Sequence, residues 1–130
     1  RIEHTDFTFP YDRTLCQQLA KAARQLKSTM PEFEFSESGV YGCTQGPRLE
    51  TAAEIRRLSR DGCDVVGMTG MPEASLAAEL GIRYCGMSLV INKAAGLDDQ
   101  PIAMAQLRSV LAEGMGRVVE LLKIALEMLD

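Results

Sequence analysis

Residues 82–92 read IRYCGMSLVIN: an apolar run closed by a polar amide. Such a run, from Ile82 to Ile91, predicts a strand buried on both faces, as occurs in parallel sheets covered by helices. Working upstream, Pro72–Leu80 predicts a helix, with Pro72 at a tolerated early position and Gly81 past its end. Before it, Asp64–Met68 (DVVGM) is a short apolar strand. Thr51 to Arg60 carries Ala52, Ile55 and Leu58 on one helical face and is stopped by Gly62. Gly39–Gln45 (GVYGCTQ) reads as a buried strand broken by Gly46-Pro47. Further upstream, residues 28–38 form a connector with short strand character around Phe33 and Phe35. From Tyr11, Leu15, Leu19, Ala22, Ala23 and Leu26 recur at spacings of three and four, with Asp12 or Thr14 opening the helix. Residues 1–10 read as an extended arm. Downstream, 92–100 form a loop, and Leu107, Val110, Leu111, Val118, Leu121, Leu122, Ala125 and Leu129 mark one long helix. Strands alternating with helices make the fold α/β, with a mixed, mostly parallel sheet flanked by helices.

The bulk composition narrows the function. A chain of 130 residues suits one small domain, and 46% hydrophobic residues can build a core. The net charge of -4 argues against a nucleic-acid binder, which carries a basic face. No apolar run reaches the roughly 18 residues of a membrane span. Cys16, Cys43, Cys63 and Cys85 show no C-x-x-C spacing, and His4 is remote from them in sequence, so no metal site is expected. Cys43, Cys63 and Cys85 lie in or beside apolar segments, where a free cysteine acts as a small hydrophobe. A reduced, cytoplasmic protein is expected. The chain opens at Arg1, without a methionine or a signal-peptide pattern, and reads as a piece of something longer.

Ligands of open α/β sheets collect outside the carboxyl ends of the strands. Three polar turns directly follow the expected strands. In GPRLET (Gly46–Thr51), the turn brings Glu50 to a helix start. Glu50 either complements the helix dipole or accepts from a ligand N–H. In GMTGMPE (Gly67–Glu73), Thr69 offers a hydroxyl, and backbone amides near a helix start can hold an anion; the alternative is Thr69 as a cap. In SLVINKAAG (Ser88–Gly96), Asn92 carries a donor and an acceptor, or simply tolerates a turn. Local chemistry alone does not name a substrate.

Taken in order, the three turns resemble the trimeric purine nucleoside phosphorylase family, in the branch that includes the methylthioadenosine and methylthioinosine phosphorylases. Gly46, Pro47, Glu50 and Thr51 match the first motif. Gly67, Met68, Thr69, Pro72 and Glu73 match the second, and Ser88, Leu89, Asn92 and Lys93 the third. The likeness covers essentially the whole chain, as the carboxy-terminal half of a single phosphorylase domain. It implies reversible phosphorolysis of a purine nucleoside without a metal or organic cofactor. Phosphate attacks C1′, the purine leaves, and inversion gives an α-ribose 1-phosphate. By this likeness Asn92 bonds the purine at N7 and the 6-position and is the catalytic group. Glu50 accepts from N1–H, Met68 lies under the ribose, and Thr69 binds phosphate. Lys93 and Ala94 complete the substrate-binding stretch that follows.

The likeness also bears on substrate choice. A 6-oxopurine carries a donor at N1, where adenine has an acceptor, so a carboxylate at Glu50 suits hypoxanthine or guanine. An unpaired buried polar group costs on the order of 1–3 kcal/mol, enough to discriminate. At the sugar end, Leu107 falls where ordinary members carry a histidine for the 5′-hydroxyl. An apolar side chain there suits a 5′-methylthio group, though Leu107 is equally placed to be core. Arg48-Leu49 also departs toward the methylthio branch, and Leu49 replaces an aromatic that stacks the base. His4 falls where the family reaches into a neighbouring subunit's sugar site, implying a homotrimer; the alternative is a surface histidine on an arm. The expected partners are a purine nucleoside and phosphate, with no nucleic acid and no membrane. The family's amino-terminal half, with its phosphate loop, is absent from these residues. An isolated chain is therefore expected to be inactive and poorly folded. Two other readings remain open: an ordinary inosine/guanosine phosphorylase, and a non-catalytic binding fragment.

Overall fold

The computed structural model describes residues 4–98 and 104–129. Residues 1–3 of the expected arm and 99–100 of the expected loop lie outside the described residues. The element order is α1 (Arg13–Thr29), β1 (Tyr41–Cys43), α2 (Ala52–Arg60), β2 (Val65–Gly67), α3 (Glu73–Glu79) and α4 (Met104–Glu127). This is the expected α/β arrangement, with a small parallel sheet and four helices among the described residues. No described helix is long and apolar enough to cross a membrane. The chain divides into two compact units. One comprises 1–37, 70–87 and 119–130; the other comprises 38–69 and 88–118.

The first unit is built on α1 and the last turns of α4. Asp12 caps α1 by accepting from the Leu15 N–H at 2.8 Å. The apolar spacing then faces Ala22, Ala23 and Leu26 inward, where they meet Leu121 and Ala125 in a buried cluster. Leu19, Phe33, Phe35, Ile124 and Met128 pack around it. Phe33 and Phe35 form no strand; their rings stack at 5.7 Å and cover the cluster. Tyr11 and Tyr84 stack at 6.1 Å, and the Asp12 N–H donates to the Tyr84 carbonyl at 2.6 Å. In α3, Ala74 and Ala77 are buried, and Pro72 occupies the N-cap position, one residue before the helix. Burial pushes the Cys16 and Cys85 thiols up, away from thiolate character.

The second unit holds the sheet. β1 and β2 pair in parallel, with Tyr41 opposite Val65, Gly42 opposite Val66 and Cys43 opposite Gly67. Both strands are shorter than their apolar stretches suggest. All four cysteines are free. Cys43 does not act as a buried hydrophobe: the pleat buries Gly42 and turns Cys43 outward. After β1, Thr51 opens α2 with a capping box, and Ile55 is buried.

The stretch Ile82–Ile91 departs from expectation. It has no regular secondary structure and is not buried on both faces; Ile82 and Val90 are 58% and 64% exposed. The physical reason is that a strand exists only where a neighbour supplies ladder bonds. The described sheet consists of β1 and β2, and neither pairs with this run. Its described backbone bonds go instead to α3 and to the start of α1, through Ile82 N–H to Ala77 O and Asp12 N–H to Tyr84 O.

Candidate active site

The second unit contains the first and third polar turns and the opening Gly67–Thr69 of the second, and the sheet register explains how the first two start side by side. The carboxyl ends of β1 and β2 lie side by side, so the segments leaving Cys43 and Gly67 start as neighbours. Gly46, at φ 64°, lies against Met68: a Cβ there would sit 2.6 Å from the Met68 Sδ. Only glycine allows both this backbone conformation and this approach. The third turn closes on the first by the same device. A Cβ on Gly96 would lie 2.4 Å from the Ala52 Cβ, at the first residue of α2.

Glu50 is half-buried and oriented. The Thr44 hydroxyl donates to its Oε1 at 2.5 Å. Thr44 is itself fixed to the sheet, because its N–H donates to the Gly67 carbonyl at 2.8 Å. The loop beneath Glu50 is clamped separately. Arg48 forks onto Glu54, with Nη1–Oε2 at 2.9 Å and Nη2–Oε1 at 2.8 Å. Glu54 also accepts from the Thr51 N–H at 2.7 Å. The Arg48 guanidinium, then the Thr51 amide and hydroxyl, hold the Glu54 carboxyl down at about 2. Helix-dipole complementation at the start of α2 therefore falls to Glu54 in its first turn, while Glu50 stands outside the helix. Leu49 is 45% exposed beside it.

Thr69 is linked to β1 through Tyr41. The Thr69 N–H donates to the Tyr41 Oη at 3.2 Å, and the two hydroxyl oxygens lie 3.2 Å apart. Thr69 does not cap α3, since Pro72 holds that position without a side-chain bond. Asn92 is exposed, and its Nδ2 donates to the Lys93 carbonyl at 2.6 Å. One amide hydrogen is used in this way, leaving the Oδ1 and the second hydrogen for a ligand. Lys93 pairs with Asp98 at 3.5 Å within the same loop. Ala94 is half-buried, and its carbonyl accepts from the Leu97 N–H at 3.1 Å.

The sheet and the Gly46 contact thus set the Glu50 turn beside Met68 and Thr69, and the Gly96 contact sets the end of the Asn92–Gly96 loop against the start of α2. Leu107 lies half-buried in the first turn of α4, in the same unit but without a hydrogen bond to the turns. His4 is exposed and belongs to the other unit. Tyr41 and Thr44 emerge as parts of the site that sequence reading overlooked, because both sit inside a stretch read only as strand. The alternating pattern of a strand gives each a defined face, but which partner waits there is a matter of register.

The chain belongs to the phosphorylase superfamily, whose family description matches residues 2–127. Its relatives are nucleoside phosphorylases. It is 51% identical over 117 residues to a Pseudomonas syringae pv. tomato protein named "Probable S-methyl-5'-thioinosine phosphorylase", covering 90% of this chain and 46% of that protein. It is 40% identical over 126 residues to a Thermococcus kodakarensis protein named "Probable 6-oxopurine nucleoside phosphorylase", covering 97% of this chain and 45% of the relative. Its fold is similar to that of a Schistosoma purine nucleoside phosphorylase in complex with hypoxanthine. There the TM-score is 0.84 at 27% identity, covering 98% of this chain and 45% of that one. The chain spans about half the length of the curated relatives it matches.

Proposed function

We propose that this chain is the carboxy-terminal half of an enzyme that cleaves S-methyl-5′-thioinosine with phosphate, giving hypoxanthine and 5-methylthioribose 1-phosphate. The observation that carries the reading is the Thr44-held carboxylate of Glu50 at the carboxyl end of β1. A carboxylate accepts and cannot donate, so it pairs with the N1–H of a 6-oxopurine and not with the N1 of adenine. In this reading Thr69 contributes a hydroxyl to phosphate, and Met68 lies under the sugar. A phosphate oxygen forms the new bond to C1′ while the C1′–N9 bond breaks, and the electron pair leaves with the purine. Asn92 donates from Nδ2 toward the 6-oxo group, and its Oδ1 accepts from N7–H once water has protonated N7 as negative charge develops on the leaving base. Such groups accelerate the step because they act where charge appears in the transition state. No metal or organic cofactor takes part.

Leu107 is the group assigned to the 5′-methylthio substituent, and Lys93 and Ala94 to the edge of the base site. The whole enzyme is a homotrimer in which His4 reaches a neighbouring subunit, and it works in the cytoplasm. The half-length match to the relatives and the exposure of Ile82, Met87 and Val90 within the apolar run support a further half that covers this run. The test is base release by the full-length protein, with phosphate, from methylthioinosine, inosine and methylthioadenosine side by side. Preference for methylthioinosine is expected. Preference for inosine overturns the role of Leu107 and favours an ordinary purine nucleoside phosphorylase.

A further inference from the structure

We infer that Thr44 is a positioning residue for base selection, acting through Glu50. The inference rests on the reading of Glu50 as the carboxylate that meets N1–H. Glu50 lies on a connecting turn, six residues beyond Thr44, and its side chain has three rotatable bonds. Thr44, by contrast, is tied to β2 by the bond from its N–H to the Gly67 carbonyl, directly past the Cys43–Gly67 pair. Its β-branched side chain restricts χ1, so the hydroxyl has a fixed place. That hydroxyl lies 2.5 Å from the Glu50 Oε1 and 3.4 Å from the Gly67 carbonyl, so its one proton goes to the carboxylate. The separation is that of a charge-assisted O–H···O⁻ bond. Thr44 thereby transfers the rigidity of the sheet to a carboxylate on a loop, and it leaves Oε2 free to accept from a purine.

A side chain that only fastened the turn would matter equally whatever Glu50 did. One that positions Glu50 matters only while the carboxylate is there. The experiment is a double-mutant cycle in the full-length protein, reading kcat/KM for methylthioinosine in native, Thr44→Val, Glu50→Ala and the combined variant. Loss of a hydrogen bond to a charged group predicts a fall of about tenfold to a hundredfold for Thr44→Val alone. In the Glu50→Ala background, the same change is expected to cost less than about twofold. Thr44→Ser, which keeps the hydroxyl, is expected to restore most of the native value. Should Thr44→Val fail to fold, Thr44→Ala takes its place in the cycle with the same expectation. Equal losses in both backgrounds overturn the inference. A Glu50→Ala variant that retains the native kcat/KM overturns the prior reading of Glu50 instead, and so separates the two failures.

Discussion

The two units of the chain are held together differently. The unit built on α1 and the end of α4 closes over Ala22, Ala23, Leu26, Leu121 and Ala125, with two stacked phenylalanines alongside. In the unit that carries the candidate site, Ile55 is the buried hydrophobic residue among those described. Its order comes from polar clamps: Thr44 on Glu50, Arg48 and Thr51 on Glu54, and Tyr41 on Thr69. Clamps of this kind fix side chains without covering them, which is what a binding surface requires. Apolar burial gives more stability per residue, but it leaves nothing exposed for chemistry.

This contrast can be broken from either side. The largest stability effect is expected in the first unit. Leu26→Ala leaves a cavity in the buried cluster and is expected to cost about 2–5 kcal/mol, read by denaturant unfolding, with substrate preference unchanged. In the second unit, Gly96→Ala forces a Cβ to 2.4 Å from Ala52 at a φ of 78°. It is expected to cost about 1–3 kcal/mol, and in the full-length protein to reduce turnover by more than its stability loss explains. Asp12→Ala removes the α1 cap and is expected to cost about 1 kcal/mol, with turnover unaffected.

The smallest effect concerns acid. The folded Glu54 carboxyl lies at about 2, against an ordinary value of 4.5. Because the folded value is the lower one, the Arg48–Glu54 clamp stabilises the fold above about pH 4.5 and fades as pH falls toward 2. Arg48→Ala is expected to flatten that part of the stability–pH curve by lowering stability slightly at neutral pH, since an exposed ion pair contributes little, and to leave stability near pH 2 unchanged. Thermal melts across the acid range would show it.

Much of this arrangement was legible in the sequence. The three- and four-residue spacing of α1, and Asp12 as one of its two candidate openers, state local rules that the chain obeys, whereas the Thr51 capping box of α2 shows only in the structure. The three turns fall after apolar segments, and two of those segments are strands. The run from Ile82 to Ile91 was misread, because an apolar run says that burial is favourable without saying what provides it. The candidate site rests in the sequence on a set of motifs, with Glu50, Met68, Thr69 and Asn92 at spacings that resemble the family's. Its supports were not legible there. Thr44 and Tyr41 look like any residues of a short strand until the register places them beside Glu50 and Thr69. Arg48, which reads as a branch-specific departure from the motif, turns out to brace the turn through Glu54. Such roles depend on where a loop returns, and no periodicity encodes that.

The most direct test of the central claim is the ratio of kcat/KM for methylthioinosine to that for methylthioadenosine, measured in the full-length protein before and after Glu50→Gln. The account predicts a strong native preference for methylthioinosine that falls by about tenfold or more in the variant, because the amide is a weaker, uncharged acceptor for N1–H. A ratio that Glu50→Gln leaves unchanged, or a native preference for methylthioadenosine, would contradict it.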